Sequence, residues 1–126
     1  MITIDATIVK LEETIFENLR ILHAESLDKK SKVTLDIPSV VEEKLKERGR
    51  LISEGSQLKI MIIKDENVSE DLDIEGVGEV FRIISSNDTK TYYISLGGLM
   101  FKLECKKEAD PELKLYEKVT IGLKLE

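Results

Sequence analysis

Thr89 to Lys106, read Thr-Lys-Thr-Tyr-Tyr-Ile-Ser-Leu-Gly-Gly-Leu-Met-Phe-Lys-Leu-Glu-Cys-Lys, decides the architecture of this chain. Two alternating runs flank Gly97-Gly98, and paired glycines supply the positive φ of a tight hairpin turn with no side chain to resist it. Tyr92, Ile94 and Leu96 share one strand face before the turn. After it, Leu99, Phe101, Leu103 and Cys105 share one face, and Met100, Lys102 and Glu104 the other. The stretch is predicted to be a β-hairpin at the centre of the sheet.

The same hairpin carries a resemblance. Tyr92-Tyr93-x-x-x-Gly97-Gly98-Leu99-Met100-x-x-Leu103-Glu104 resembles the signature hairpin of a small OB-fold subunit of multisubunit RNA polymerases. That subunit is shared by the eukaryotic nuclear polymerases and is found in some archaea, where it is called the G subunit or subunit eight. Lys32-Val33-Thr34-Leu35-Asp36-Ile37 looks like the family's early strand, and Asp71-x-Asp73-x-x-x-x-Gly78 like its acidic approach to a mid-chain strand. No long insertion separates the early strands, and the chain is shorter than the eukaryotic form; both point to the archaeal branch. The resemblance is strongest at the hairpin, weakest at the amino terminus, and includes no polymerase catalytic motif.

Composition sets the frame for the rest. A chain of 126 residues matches the length of one domain, 1–126, and can bury roughly two-thirds of its unfolded surface. Charged residues make up 35% and apolar residues 41%, which describes a soluble domain with a densely charged surface. The net charge of −6 opposes broad nucleic-acid binding, which leaves a basic footprint. No apolar run is long enough to span a bilayer. Met1 leads directly into an alternating strand pattern rather than a charged-then-apolar leader. One cysteine cannot form an internal disulfide, so a reducing cytoplasm is the expected compartment.

Along the chain, Ile2, Ile4, Ala6 and Ile8 alternate with polar residues as a half-buried strand. Leu11, Ile15, Leu19 and Leu22 then fall at helical spacing, while Leu19, Ile21 and His23 alternate as a strand would. The residues leave both readings open; the resemblance implies strand, turn, strand. Lys32–Ile37 is a strand ended by Pro38. A helix follows, with Ser39 and Glu42 spaced as a capping box, acids leading, bases trailing, and Gly49 placed to close it. Val41 and Leu45, four apart, are predicted to press on the sheet. Leu58–Ile63 reads as a strand buried on both faces, and Lys64–Glu75 as most of a solvated acidic loop. Gly76–Ile84 is a strand whose glycines predict a bulge or bend. Ser85–Asp88 and Asp110-Pro111 mark turns, and Val119, Ile121, Leu123 and Leu125 form the closing strand. The sum is all-β with one short helix, an OB-fold-like Greek-key antiparallel barrel of about seven or eight strands.

Candidate chemistry is sparse. Asp71-x-Asp73-x-Glu75-Gly76 begins like a calcium loop, but the position of the closing bidentate acid holds Arg82. Gly76-x-Gly78 lacks the third glycine of a dinucleotide loop, its place being taken by Phe81. One histidine, His23, and one cysteine, Cys105, cannot make a structural zinc site. No catalytic residue, cofactor-binding residue or metal ligand is assigned. Tyr92, Tyr93 and Phe101 invite a base-stacking reading, but Tyr92 and Tyr93 point to opposite faces and Phe101 follows the core pattern. Lys29, Lys30 and Lys32 form a short basic cluster flanked by Asp28 and Asp36.

The resemblance implies a non-catalytic structural subunit of archaeal DNA-directed RNA polymerase. It would dock on the largest subunit without taking part in nucleotide addition; the alternating strands, the helix and the missing ligands separately predict a chain that folds alone as a monomer without cofactor or metal. The alternative from another class is a free-standing OB-fold that binds single-stranded nucleic acid; a third is a small acidic adaptor. Sequence-specific nucleic-acid contact is not expected. The partner surface is expected on the hairpin: Gly97-Gly98 leaves backbone uncovered, and Tyr93 and Met100 fall on the face opposite the core pattern.

Overall fold

The fold, a computed structural model, describes residues 2–64 and 71–126. Gly97 and Gly98 sit at φ 61° and 98°, and the pairing of Leu96 with Leu99 leaves them alone in a two-residue turn. β6 (Thr89–Leu96) and β7 (Leu99–Lys106) run into and out of it. Their inward residues Tyr92, Ile94, Phe101, Leu103 and Cys105 are all buried, each large apolar side chain contributing about 1.5–3 kcal/mol of burial.

The remaining elements are β1 (Ile2–Glu13), β2 (Leu19–Ser26), β3 (Ser31–Pro38), α1 (Ser39–Glu47), β4 (Gln57–Ile63), β5 (Ile74–Ser85), a short 3-10 turn (Lys107–Ala109) and β8 (Lys118–Leu125). The eight strands close into an antiparallel barrel in the order β1-β2-β3-β7-β6-β5-β8-β4. Two meanders, β1–β3 and β5–β7, meet along β3 and β7, while β8 and β4 close the far side. With its one short helix this is an OB-like barrel. The expected central position of the hairpin is corrected by closure, because a closed sheet has neither centre nor edge.

The segment left open between helix and strands is strand, turn, strand. Ile15, needed for a buried helical stripe, is 93% exposed at the β1–β2 turn, where the Thr14 hydroxyl accepts the Phe16 N–H and donates to the Leu19 carbonyl at 2.9 Å. β4 is buried on both faces, as its apolar run predicts: Ile60 and Ile62 lie in the core, and Met61 and Ile63 on the opposite face are buried as well.

α1 forms where expected, but its start differs. Pro38 occupies the N-cap position and no side chain caps the helix. The Ser39 N–H instead donates to the Asn18 carbonyl at 2.8 Å. Glu42 does not reach back, because the Arg20 guanidinium holds both its carboxylate oxygens; a bidentate pair outcompetes a local cap. At the other end Gly49, at φ 73°, closes the helix as expected. Its N–H donates to the Lys46 carbonyl and that of Arg50 to the Leu45 carbonyl, the paired bonds of a Schellman motif. Leu45 is buried, and Val41 packs half-buried against the core.

β5 also differs from the expectation. Its bulge lies at Phe81, where the register slips between Val80 and Arg82, not at the glycines. Gly78 is required by crowding: a Cβ there would meet the Ser95 carbonyl oxygen at 2.4 Å. At Gly122 in β8 an added Cβ would meet a Leu72 methyl at 2.4 Å, and β8 is buried on both faces although its sequence alternates.

The crossover from β7 to β8 is fastened by Asp110. Its carboxylate accepts from the Tyr92 hydroxyl, from the Glu112 N–H at 2.8 Å and from Lys90 Nζ at 3.4 Å. Burial alone would push the Asp110 carboxyl up, but these hydrogen bonds outweigh it and hold it below the usual carboxylate range.

Candidate functional site

Register places Tyr93 at the middle of the outer face, with Arg82 of β5 on one side and Lys102 of β7 on the other. The Arg82 guanidinium carbon and Lys102 Nζ each lie 5.7 Å from the Tyr93 ring centroid. Two cations thus stack on one half-buried ring, each contact contributing about 0.5–1 kcal/mol at such exposure. The β5 bulge turns Phe81 outward to join them, its ring centroid 6.2 Å from that of Tyr93 and tilted by 52°. Phe81 is 42% exposed.

Met100 shares this face one step nearer the turn, opposite Ser95. Its N–H donates to Asp36 Oδ2 at 3.0 Å, which ties the hairpin tip to β3. Nothing lies within 4 Å of where a Cβ would stand on Gly97 or Gly98, so the turn backbone is open. The structure therefore brings Tyr93, Gly97, Gly98 and Met100 along one outer face of the hairpin, from mid-strand to the turn, and adds Phe81, Arg82 and Lys102. Aromatic, methionine and arginine side chains in one patch are the composition of an interface core. The reading from sequence missed Phe81 because its face depends on the bulge. It missed the Arg82–Tyr93–Lys102 row because that alignment depends on register across three strands. Arg82 directly after the aromatic Phe81 was the available signal.

The remaining candidates resolve into structural roles. Tyr92 and Phe101 are wholly buried, so neither can stack on a base. Burial, then the hydrogen bond to Asp110, pushes the Tyr92 hydroxyl far above its ordinary range. His23 Nε2 lies 2.8 Å from Glu12 Oε1 on the outer face. The Cys105 thiol is buried, donates to the Lys90 carbonyl, and is pushed up to about 11 by burial and the Asp110 charge, the opposite of an activated nucleophile. Among the described residues, no three His, Cys, Asp or Glu side chains gather as a metal site, and no helix is long and apolar enough to cross a membrane.

Asp73 corrects the picture of a solvated acidic loop. Its side chain is 5% exposed, with Oδ1 3.6 Å from Arg50 Nε, and Oδ2 accepts the Leu125 N–H at 2.7 Å. It is a strap across the end of β8, not a calcium ligand in waiting. The part of that loop at 65–70 lies outside the described residues. In the basic cluster, Lys29 pairs with Glu25 at 3.4 Å, and Lys32 faces Glu104 across the β3–β7 ladder.

No curated protein matches the chain. Among solved structures it is similar to the cytoplasmic molybdate-binding protein ModG, at 14% identity and a TM-score of 0.40, over 98% of this chain and 89% of that one. A likeness at that level carries no argument about function. A family model described as the G subunit of DNA-directed RNA polymerase matches residues 1–126. With the whole chain covered, this protein belongs to that family of RNA polymerase subunits.

Proposed function

We propose that the chain is a non-catalytic structural subunit of an archaeal RNA polymerase, cytoplasmic, monomeric when isolated, and docked on the largest subunit. The observation that carries this reading is the family match over the whole of residues 1–126. The docking surface is the outer face of the β6–β7 hairpin: Tyr93, Gly97, Gly98 and Met100, continued by Phe81, Arg82 and Lys102. In support, this face joins exposed aromatic surface to two cations in a chain of net charge −6. Such a patch suits an acidic, apolar segment of a larger subunit. The isolated chain needs no cofactor for this role and adds no group to nucleotide addition.

The test is Met100→Asp in a tagged copy expressed in the native cells. A buried charge without a partner costs a contact a few kcal/mol, so recovery of polymerase with the variant is expected to fall at least about tenfold. A half-buried outer-face position contributes little to folding, so the isolated variant is expected to melt within a few degrees of wild type. Assembly at the wild-type level, or loss of the fold, removes the hairpin face as the docking surface.

A further inference from the structure

β5 changes neighbours at Glu79: Ile74–Glu79 lie against β8, and the ladder to β6 begins only at Glu79. The start of β5 therefore parts from the hairpin, while α1 packs on β3. A cavity of about 170 Å³ opens between them. Val41 of α1, Ile74 and Gly76 of β5, Leu96 and Leu99 of the hairpin tip and Ile121 of β8 form its wall. Val41, Ile74 and Leu96 are packed against the core yet remain half-buried, and Leu99 is half-buried beside them. This is a mouth of the barrel that its own described residues leave open.

We infer that this cavity takes one apolar side chain of a polymerase partner, carried beside a lysine or arginine. The inference rests on the subunit reading above and adds the chemistry of the anchor. Size is the first argument, since an apolar cavity of about 150 Å³ holds a benzene-sized group; the space suits one Leu, Met or Phe side chain. Charge is the second. Asp36 and Glu75 stand on the rim, and Glu75 is exposed with no ion-pair partner among the described residues. A basic neighbour on the anchor complements that acidic rim. Position is the third. Leu99 faces the cavity and Met100 the outer face, so the hairpin tip joins the pocket to the docking surface.

Gly76→Val and Glu75→Lys test it. The three atoms nearest a Cβ on Gly76 are Leu96 side-chain atoms at 3.7–3.8 Å, ordinary contact, so valine fits the strand and its methyl groups fill the cavity. Glu75→Lys reverses the rim charge at an exposed position. Each variant competes with wild type for reconstitution with the remaining polymerase subunits. The expected result is at least about a tenfold loss of incorporation for both, with melting temperatures within a few degrees of wild type. If wild type itself does not incorporate, the subunit reading fails and the inference falls with it. If wild type and both variants incorporate equally, the pocket inference alone is overturned. A drop in the melting temperature of Gly76→Val by more than about 5 °C, with incorporation intact, would assign the cavity to another part of this chain. Dimerisation of the isolated wild type, abolished by Gly76→Val, would assign it to a second copy. Either result overturns the inference.

Discussion

Asp110→Ala removes the group that fastens the β7–β8 crossover to β6. Three donors lose their acceptor: the Tyr92 hydroxyl, the Glu112 N–H and Lys90 Nζ. The Tyr92 residue is 0% exposed, so its hydroxyl cannot turn to water without opening the barrel. A hydrogen bond to a charged group contributes about 1.5–3 kcal/mol, and a buried donor left unpaired costs about 1–3 kcal/mol. The half-exposed lysine adds less than about 1 kcal/mol. The expected cost is about 3 kcal/mol at pH 7, or about 10 °C in melting temperature for a chain of this size. Because the folded carboxyl is held below its ordinary range, this stabilisation is present above the unfolded pKa and is lost as pH falls through the folded one. Urea unfolding at a series of pH values measures it: the gap between wild type and Asp110→Ala should be full at pH 7 and narrow below about pH 4. Tyr92→Phe/Asp110→Ala should cost less than the sum of the two single changes. A gap under about 0.5 kcal/mol at pH 7, or one independent of pH, refutes this account of the crossover.

Gly78→Ala is expected to destabilise by about 1–3 kcal/mol through overpacking against the Ser95 carbonyl, while Gly76→Ala, with ordinary contacts, stays near wild type; denaturant midpoints check both. Ser39→Ala should change stability by less than about 0.5 kcal/mol, because the hydroxyl caps nothing. Arg20→Ala leaves Glu42 without its bidentate partner and should cost more than Ser39→Ala in the same thermal scans.

Local chemistry carried much of the fold in the sequence. Gly97-Gly98 between two alternating runs admits little except a tight hairpin, and Gly49 after a run of helix formers closes α1 as such a glycine does elsewhere. What the sequence hid was long-range. Glu42 has its capping role displaced by an arginine 22 positions earlier. Gly122 reads as the polar side of an alternating strand until Leu72 is seen to lie over it. Asp73, one of a run of acids, becomes a buried strap only because Arg50 and the end of β8 converge on it. At the candidate site, the alternation placed Tyr93 and Met100 on the outer face. Phe81 and Arg82 joined them through a one-residue slip that no local pattern marks.

If the outer face of the hairpin rests on the largest polymerase subunit, as proposed, position 93 lies within crosslinking reach of it. The most direct measurement replaces Tyr93 with a photo-crosslinking residue, Tyr93→p-benzoylphenylalanine, in a tagged copy assembled in the native cells. A control places the same group at Ile15, 93% exposed in the β1–β2 turn. After irradiation of the purified polymerase, mass spectrometry identifies the adducts. A dominant adduct between position 93 and the largest subunit is expected, with little from position 15. A dominant adduct with another subunit, or a tagged chain recovered alone without other polymerase subunits, would contradict it.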